Sequence, residues 1–505
     1  MNYNSLVKLE SFAKFVNKII NESVSDGKIK LNISKYIKVK GHEIKEGSIG
    51  TSQEMFMKNS LVESVPTLLN NIKNSSEYQA VLNHFTEIFN EEKQKIDPFL
   101  ESFIIKLISQ YERTLNSSEL EDIKNIINIF LQELNGSPVK FGIKAKIKGI
   151  TFNTKEIVVN LNIRINKLDI KIKLRKLTAK DIENEFPAPV SYIGYNETIA
   201  RITAQSQVPT ILEVETSANL ITTNHNEAIG SMINIMKLVI IALRLFRTGG
   251  IEYLSYDFFT DSVINWNLNY HMKDRINDAI LPIFYSMPHG DNYLINDKDI
   301  EKLSRFWEKI KGPILKNIIV PINNMNHIAV AYKFYINALL TRSLDSFMEV
   351  NVNGKIAFAI MGLEALFLED SAELKYRLGL RISKLLGIYD RDTYSSIKVN
   401  ENIKTAYNIR SKFLHGTSAG NGNENSNLLS LVMDYLRNSI IIYLLIHKSK
   451  NDFIKLIDNS LINPDSEKEL KSCMNDIINE EIHDAEISND IINGGFAILF
   501  NKYYW

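Results

Sequence analysis

Cysteine occurs once in 505 residues, at Cys473, so no disulfide can close within the chain and the usage fits a reducing compartment. Charge of one sign is equally scarce, because 59 Lys and Arg balance 59 Asp and Glu. With no net field to draw in nucleic acid, any contact with it must come from local patches. Long apolar runs are also missing. The two most apolar stretches, Ser231 to Phe246 and Ser439 to Ile446, are shorter than the ~20 residues a bilayer requires. They are interrupted or flanked by Asn234, Lys237, Asp434 and Arg437, so they are expected as buried helices and no membrane contact is expected. The first twenty residues hold Lys8, Glu10, Lys14 and Asn17 in place of an uninterrupted apolar segment, and the expected location is cytoplasmic. Neither a P-loop nor a GxGxxG string occurs. The dispersed histidines, among them His84, His225, His271 and His289, show no paired ligand spacing, so neither a cofactor nor a metal site is expected.

What is present is the composition of a soluble folded protein, with 45% hydrophobic and 23% charged residues, at a length that calls for two or three domains. Up to about Asn135 apolar residues recur every three or four positions, as in Phe99, Phe103, Ile104, Leu107, Ile108 and Tyr111, which predicts helices. A short break, IKLNISKYIKVK, near Lys28 to Lys40, reads as a strand or hairpin. After Gly136, Ser137 and Pro138 the period shortens to two in KFGIKAKIKGI, KEIVVNLNIRI and KLDIKIKLRKL, which predicts antiparallel strands. TILEVETS and IEYLSYDFF continue that module, with a helix through NEAIGSMINIMKLVIIALRLF between them. From about Asp299 the pattern is helical again. The fold class expected is α+β and mainly α-helical, with a C-terminal helical bundle and a middle antiparallel β-containing module. Its divisions are 1–135 (mainly helical), 136–298 (β-containing), 299–460 (bundle) and 461–505 (tail).

One segment carries a chemical signature. NENIKTAYNIRSKFLHG, Asn400 to Gly416, is a helix candidate with Ile403, Ala406, Tyr407, Phe413 and Leu414 available for burial and Gly416 as its closing glycine. His415 then ends the helix, where unpaired carbonyls and the negative end of the dipole favour an imidazolium, a setting suited to acid–base work. Arg410 points roughly 140° away from His415 on such a helix, so one copy offers half a site. A second copy crossing the first would gather two Arg and two His into one basic cleft. The residue types suit RNA cleavage beside the 2′-hydroxyl. One imidazole removes the 2′-OH proton, another acid protonates the leaving 5′ oxygen, and guanidinium forks stabilise the charge on phosphorus. DNA lacks the internal nucleophile and should resist. Against this stands a plainer reading of the spacing alone, a helix-end histidine and a surface arginine in an ion pair.

Context adds to the spacing. GLEALFL (Gly362 to Leu368), LKYRLGLRISKLLG (Leu374 to Gly387) and YNIRSKFLHG (Tyr407 to Gly416) occur in that order, with fainter likeness in LRLFRTGG and LTRSLDSF. Together they resemble the Apea-like branch of the HEPN superfamily, whose Tyr-x2-Arg-Ser-x3-His-Gly pattern contains the Arg-x4-6-His ribonuclease motif. The resemblance covers some two fifths of the chain. It implies a helical bundle that dimerises around a composite, metal-independent ribonuclease site, often in bacterial anti-phage or toxin systems, with a phage-derived or co-encoded regulator. It puts Arg410 and His415 in the catalytic places and Ser411 and Tyr407 beside them, and it puts Glu364 on the earlier helix as the carboxylate that orients Arg410. Toxins of this kind that are silenced by a nucleotidyltransferase carry Tyr two residues past the His, where this chain has Thr417, so that control is not implied.

Candidate RNA contacts are Lys412, Arg381 on the amphipathic helix before the motif, and a basic strand face formed by Lys144, Lys146, Lys171, Lys173 and Arg175. For the strand face the alternative is a solvated outer surface opposite Ile143, Ile147, Ile170, Ile172 and Leu174; for Arg381 it is a structural ion pair. The terminal FAILFNKYYW is expected to dock on its own chain. A function of a different class also stays open: a non-catalytic RNA-binding or dimerisation module that keeps the bundle.

Overall fold

A computed structural model describes residues 3–25, 65–90, 92–114, 120–152, 158–165, 168–176, 210–218, 225–264, 293–320, 322–340, 352–369, 373–416 and 425–479. The break at 28–40, the residues after Gly416, most of LTRSLDSF and the aromatic C-terminal string lie outside these residues. The helices are α1 (Tyr3–Ser25), α2 (Val65–Lys73), α3 (Ser76–Phe89), α4 (Lys93–Thr114), α5 (Leu120–Leu134), α6 (His225–Phe246), α7 (Asp297–Asn317), α8 (His327–Leu340), α9 (Val352–Phe367), α10 (Leu374–Tyr389), α11 (Ser396–Leu414), α12 (Ser426–Leu445), α13 (Lys450–Asn459) and α14 (Pro464–Asn479). The strands are β1 (Val139–Lys148), β2 (Ile150–Phe152), β3 (Val158–Asn160), β4 (Ile163–Ile165), β5 (Leu168–Lys176), β6 (Thr210–Ala218), β7 (Glu252–Thr260) and β8 (Tyr293–Ile295). The protein is mainly helical with a small sheet, the α+β class that the periodicities predict.

Contacts divide the chain into two compact units, each built from three separate stretches: 1–146, 168–232 and 253–285 in the first, 147–167, 233–252 and 286–505 in the second. In the first unit, α1 to α5 bury a shared core that includes Phe12, Tyr78, Phe85, Phe103 and Phe130. The Phe103 and Phe130 rings lie 4.9 Å apart. Glu133, near the end of α5, is buried and accepts backbone N–H bonds from Val263 (2.6 Å) and Ile264 (3.1 Å), which pins that segment to the helix. The same unit contributes β5, β6, β1 and β7, hydrogen-bonded in that order. Strand alternation puts Ile143, Ile170, Ile172, Leu174, Leu212 and Val214 on the buried face. The β5–β6 pair is antiparallel, with Lys171 opposite Glu215 and Lys173 opposite Glu213.

In the second unit β2 and β8 pair in parallel, an arrangement that alternation alone does not foretell. Helix α9 is the centre of the bundle and packs on α8, α11 and α12. Its sequence, VNGKIAFAIMGLEALF, is apolar nearly all round, as a helix with neighbours on every side must be. Gly362 lets α9 lie close to two of those neighbours, for a Cβ there would stand 2.7 Å from the Leu436 side chain and 3.2 Å from the Ala331 carbonyl. Helix ends are closed by long cations. Arg437 on α12 donates to the Leu245 carbonyl at the end of α6 (2.8 Å), and Lys450 donates to the carbonyls of Ala365 (2.9 Å) and Leu368 (2.7 Å) at the end of α9. Helix α12 is long and apolar enough to cross a membrane, yet 67% of its most apolar stretch is buried inside the protein, as befits a core helix.

Candidate active site

The site begins with the pairing of α9 and α11. Ala406 and Ile409 bury one side of α11, Val399 and Ile403 its earlier turns. That orientation turns Arg410 toward α9, where its Nη2 donates to Glu364 Oε2 at 3.1 Å. Both side chains are largely shielded, 23% and 17% exposed. Burial pushes the Glu364 carboxyl above its ordinary range, an effect that Arg410 partly offsets. The pair is also incompletely satisfied. Arg410 Nε and Glu364 Oε1 are buried without a hydrogen-bond partner in the protein, so the pair encloses one unmatched donor and one unmatched acceptor. The Tyr407 ring lies under it, with the guanidinium carbon 5.6 Å from the ring centre, a cation–π arrangement that holds the plane. Burial and the nearby Glu364 raise the Tyr407 hydroxyl pKa, while Arg410 pulls it down.

The last turn of α11 behaves differently. His415 caps the helix at φ −88°, ψ 7°, its N–H reaching the Ser411 carbonyl at 3.2 Å. Gly416 follows at φ 68°, the left-handed conformation that its lack of a side chain permits, so the helix stops where the sequence indicates. Lys412 through Gly416 are all exposed, whereas Ser411 is half-buried. Phe413 and Leu414, expected to be buried, stand 37% and 47% exposed because this turn projects past the α9 contact. The structure thus brings together Glu364, Tyr407 and Arg410, and places His415 and Lys412 on the exposed last turn of the helix.

Arg381 is corrected from a candidate RNA contact to a structural residue. Only 1% exposed, it forks onto Asp458 through Nε (2.8 Å) and Nη2 (2.6 Å) and also donates to the Phe367 carbonyl, so no RNA can reach it. The strand face is corrected in part. Glu213 and Glu215 run through it: Arg175 pairs with Glu213 at 2.8 Å, Lys144 stands 4.0 Å from the same carboxylate, and Glu215 receives Lys140 at 2.7 Å and Lys173 at 3.7 Å. It is a ladder of alternating charge rather than a uniformly basic surface. Lys171 is exposed on it, and the Lys146 side chain lies outside the described residues.

Sequence reasoning missed an open groove beside the pair, lined by Glu373, Leu374, Lys375, Tyr376, Lys404 and Tyr407. Its signals in the sequence were Lys375 and Tyr376 in the first turn of α10 and Lys404 and Tyr407 on α11. A second constellation, Ser5–His84–Lys8, has the parts of a nucleophile pair but the wrong polarity. Lys8 Nζ donates to His84 Nδ1 (3.1 Å), so Nε2 carries the hydrogen toward Ser5 Oγ (3.1 Å) and cannot accept its proton. Among the described residues no group of three or more His, Cys, Asp or Glu side chains is placed to hold a metal ion. No protein-family model, no curated protein and no solved structure matches the chain.

Proposed function

We propose that the protein is an endoribonuclease of the HEPN type, which cuts RNA by 2′-hydroxyl transesterification without a metal or cofactor, and that it works as a homodimer in the cytoplasm. The observation that carries this reading is the Glu364–Arg410 ion pair, 3.1 Å between α9 and α11, five residues before an exposed histidine at a helix end. The pairing joins two of the three blocks that carry the family resemblance. It gives Arg410 a fixed plane, close in sequence to the exposed helix end, where a guanidinium can stabilise charge on phosphorus.

One chain supplies one arginine and one imidazole, directed apart. The exposed turn of Phe413, Leu414 and His415 is the surface on which a second copy would close. In the resulting cleft one His415 takes the 2′-OH proton as the O2′–P bond forms. The second copy's imidazolium gives a proton to the 5′ oxygen as the P–O5′ bond breaks, and the two guanidiniums carry the charge on the phosphorane. The products are a 2′,3′-cyclic phosphate and a 5′-hydroxyl. A role as an anti-phage or toxin-like effector follows from the resemblance, with the first unit as restraint or sensor for a phage-derived or co-encoded regulator.

The test is cleavage of RNA by the purified full chain in EDTA, with the ends analysed for cyclic phosphate. Arg410→Ala and His415→Ala should each abolish cutting while the protein stays folded and dimeric, and His415→Ala should relieve toxicity in cells that express the chain. RNA that is bound but never cut, with cells unharmed, would favour the non-catalytic module instead.

A further inference from the structure

The groove beside the Arg410 pair is not explained by the chemistry assigned above. It is open, bounded by the first turn of α10 and the outer face of α11, and lined by two aromatic rings and two lysines against one carboxylate, Glu373. Tyr376 is 56% exposed, high for a large aromatic residue. Lys404 Nζ stands 6.0 Å from the centre of that ring, and Lys375 is held by Asn408 Oδ1 at 2.8 Å. On α11 the positions 404, 408 and 411 fall on one face, and His415 follows four residues after Ser411. From Lys404 to His415 the helix rises about 16 Å, room for several nucleotides of a strand stacked at ~3.4 Å. An exposed ring beside lysines, in a trough with no enclosing wall, suits a polymer with flat bases and a charged backbone. An apolar peptide would find little to bury there, since Leu374 is the one aliphatic side chain of the lining.

We infer that this groove holds single-stranded RNA on its way to the cleavage site, with a base stacked on Tyr376 and flanking phosphates on Lys375 and Lys404. The inference rests on the ribonuclease reading for the identity of the strand, but it is tested by binding rather than by cutting. A paired base has no free face to offer the ring, so a duplex fits this groove poorly.

The experiment titrates full-length protein into a labelled single-stranded 2′-O-methyl RNA, which lacks the nucleophile, and follows fluorescence anisotropy over a range of salt. Tyr376→Ala should weaken binding about tenfold with an unchanged salt slope, and Tyr376→Phe should restore it, because stacking needs the ring and not the hydroxyl. Lys404→Ala and Lys375→Ala should each flatten the slope of log affinity against log salt by about 0.7. Wild-type affinity in Tyr376→Ala and Lys404→Ala, or equal competition by a duplex, overturns the groove as a strand site; so does the absence of salt-dependent binding. Cleavage of unmodified RNA is scored separately. If the groove variants bind weakly and no protein cuts, the nuclease assignment falls and the groove stands. If RNA is cut and the groove variants behave as wild type, the groove falls alone.

Discussion

Replacing Arg410 by Ala would strip the half-buried Glu364 of its counter-charge, and the size of the effect depends on pH. Ion pairs at the surface are worth about 0–1 kcal/mol, and breaking a fully buried one costs about 3–5 kcal/mol. With side chains 17% and 23% exposed, this pair falls between, at roughly 1–3 kcal/mol. Glu364 already titrates above its ordinary value of 4.5 because of burial, and Arg410 opposes that rise. Removing Arg410 lifts the carboxyl further, at ~1.4 kcal/mol of stability for each tenfold gain in its proton affinity. A carboxyl raised in the folded state contributes stability that is full below the unfolded value and lost as pH climbs through the folded one. Arg410→Ala should therefore be more destabilised near pH 8 than near pH 5, because a carboxyl raised further takes up its proton more readily as pH falls. Adding Glu364→Gln should remove that pH slope. Urea unfolding of wild type, both single variants and the double variant at the two pH values measures all of this. An Arg410→Ala loss that is the same at both pH values would refute the coupling. If the proposed ribonuclease activity holds, Glu364→Gln alone should cut RNA about 10²-fold more slowly, the consequence of a guanidinium left off its line by ~1 Å.

Two further perturbations separate structure from function. Arg381→Leu should cost about 1–2 kcal/mol in unfolding experiments, since it removes a buried guanidinium's fork onto the half-exposed Asp458, while any RNA affinity stays at the wild-type value; a selective loss of RNA binding would reverse the structural assignment. His327 is pushed down to about 4 by burial and by the nearby Lys450. A histidine lowered in this way contributes stability that is present above the unfolded value of 6.5 and is lost as pH falls toward 4, on the order of 1–2 kcal/mol after allowance for partial exposure. His327→Gln should flatten that acid limb of a melting-temperature profile, and an unchanged limb would show that another group controls it.

Local features of this protein were legible before its fold. The three- and four-residue spacing that buries Ile403, Ala406 and Ile409 predicts α11, Gly416 marks its end, and period-two alternation predicts β1, β5 and β6. These are properties of a single segment, because burial periodicity, capping and φ preference act within a few residues. The partners of charged side chains were another matter. Arg381 sits on an amphipathic helix like any surface arginine until α13 brings Asp458, 77 positions away, against it. Lys173 and Arg175 read as part of a basic strand face until the register of β6 sets Glu213 and Glu215 among them. Glu364 and Arg410, 46 positions apart, were linked by a family likeness and not by spacing, and the groove with Tyr376 exists only because α10 packs on α11. A chain's pattern decides which face of each element leaves water. Which charges then meet is decided by how distant elements pack, since an ion pair a few ångströms long requires two segments to be placed together in space.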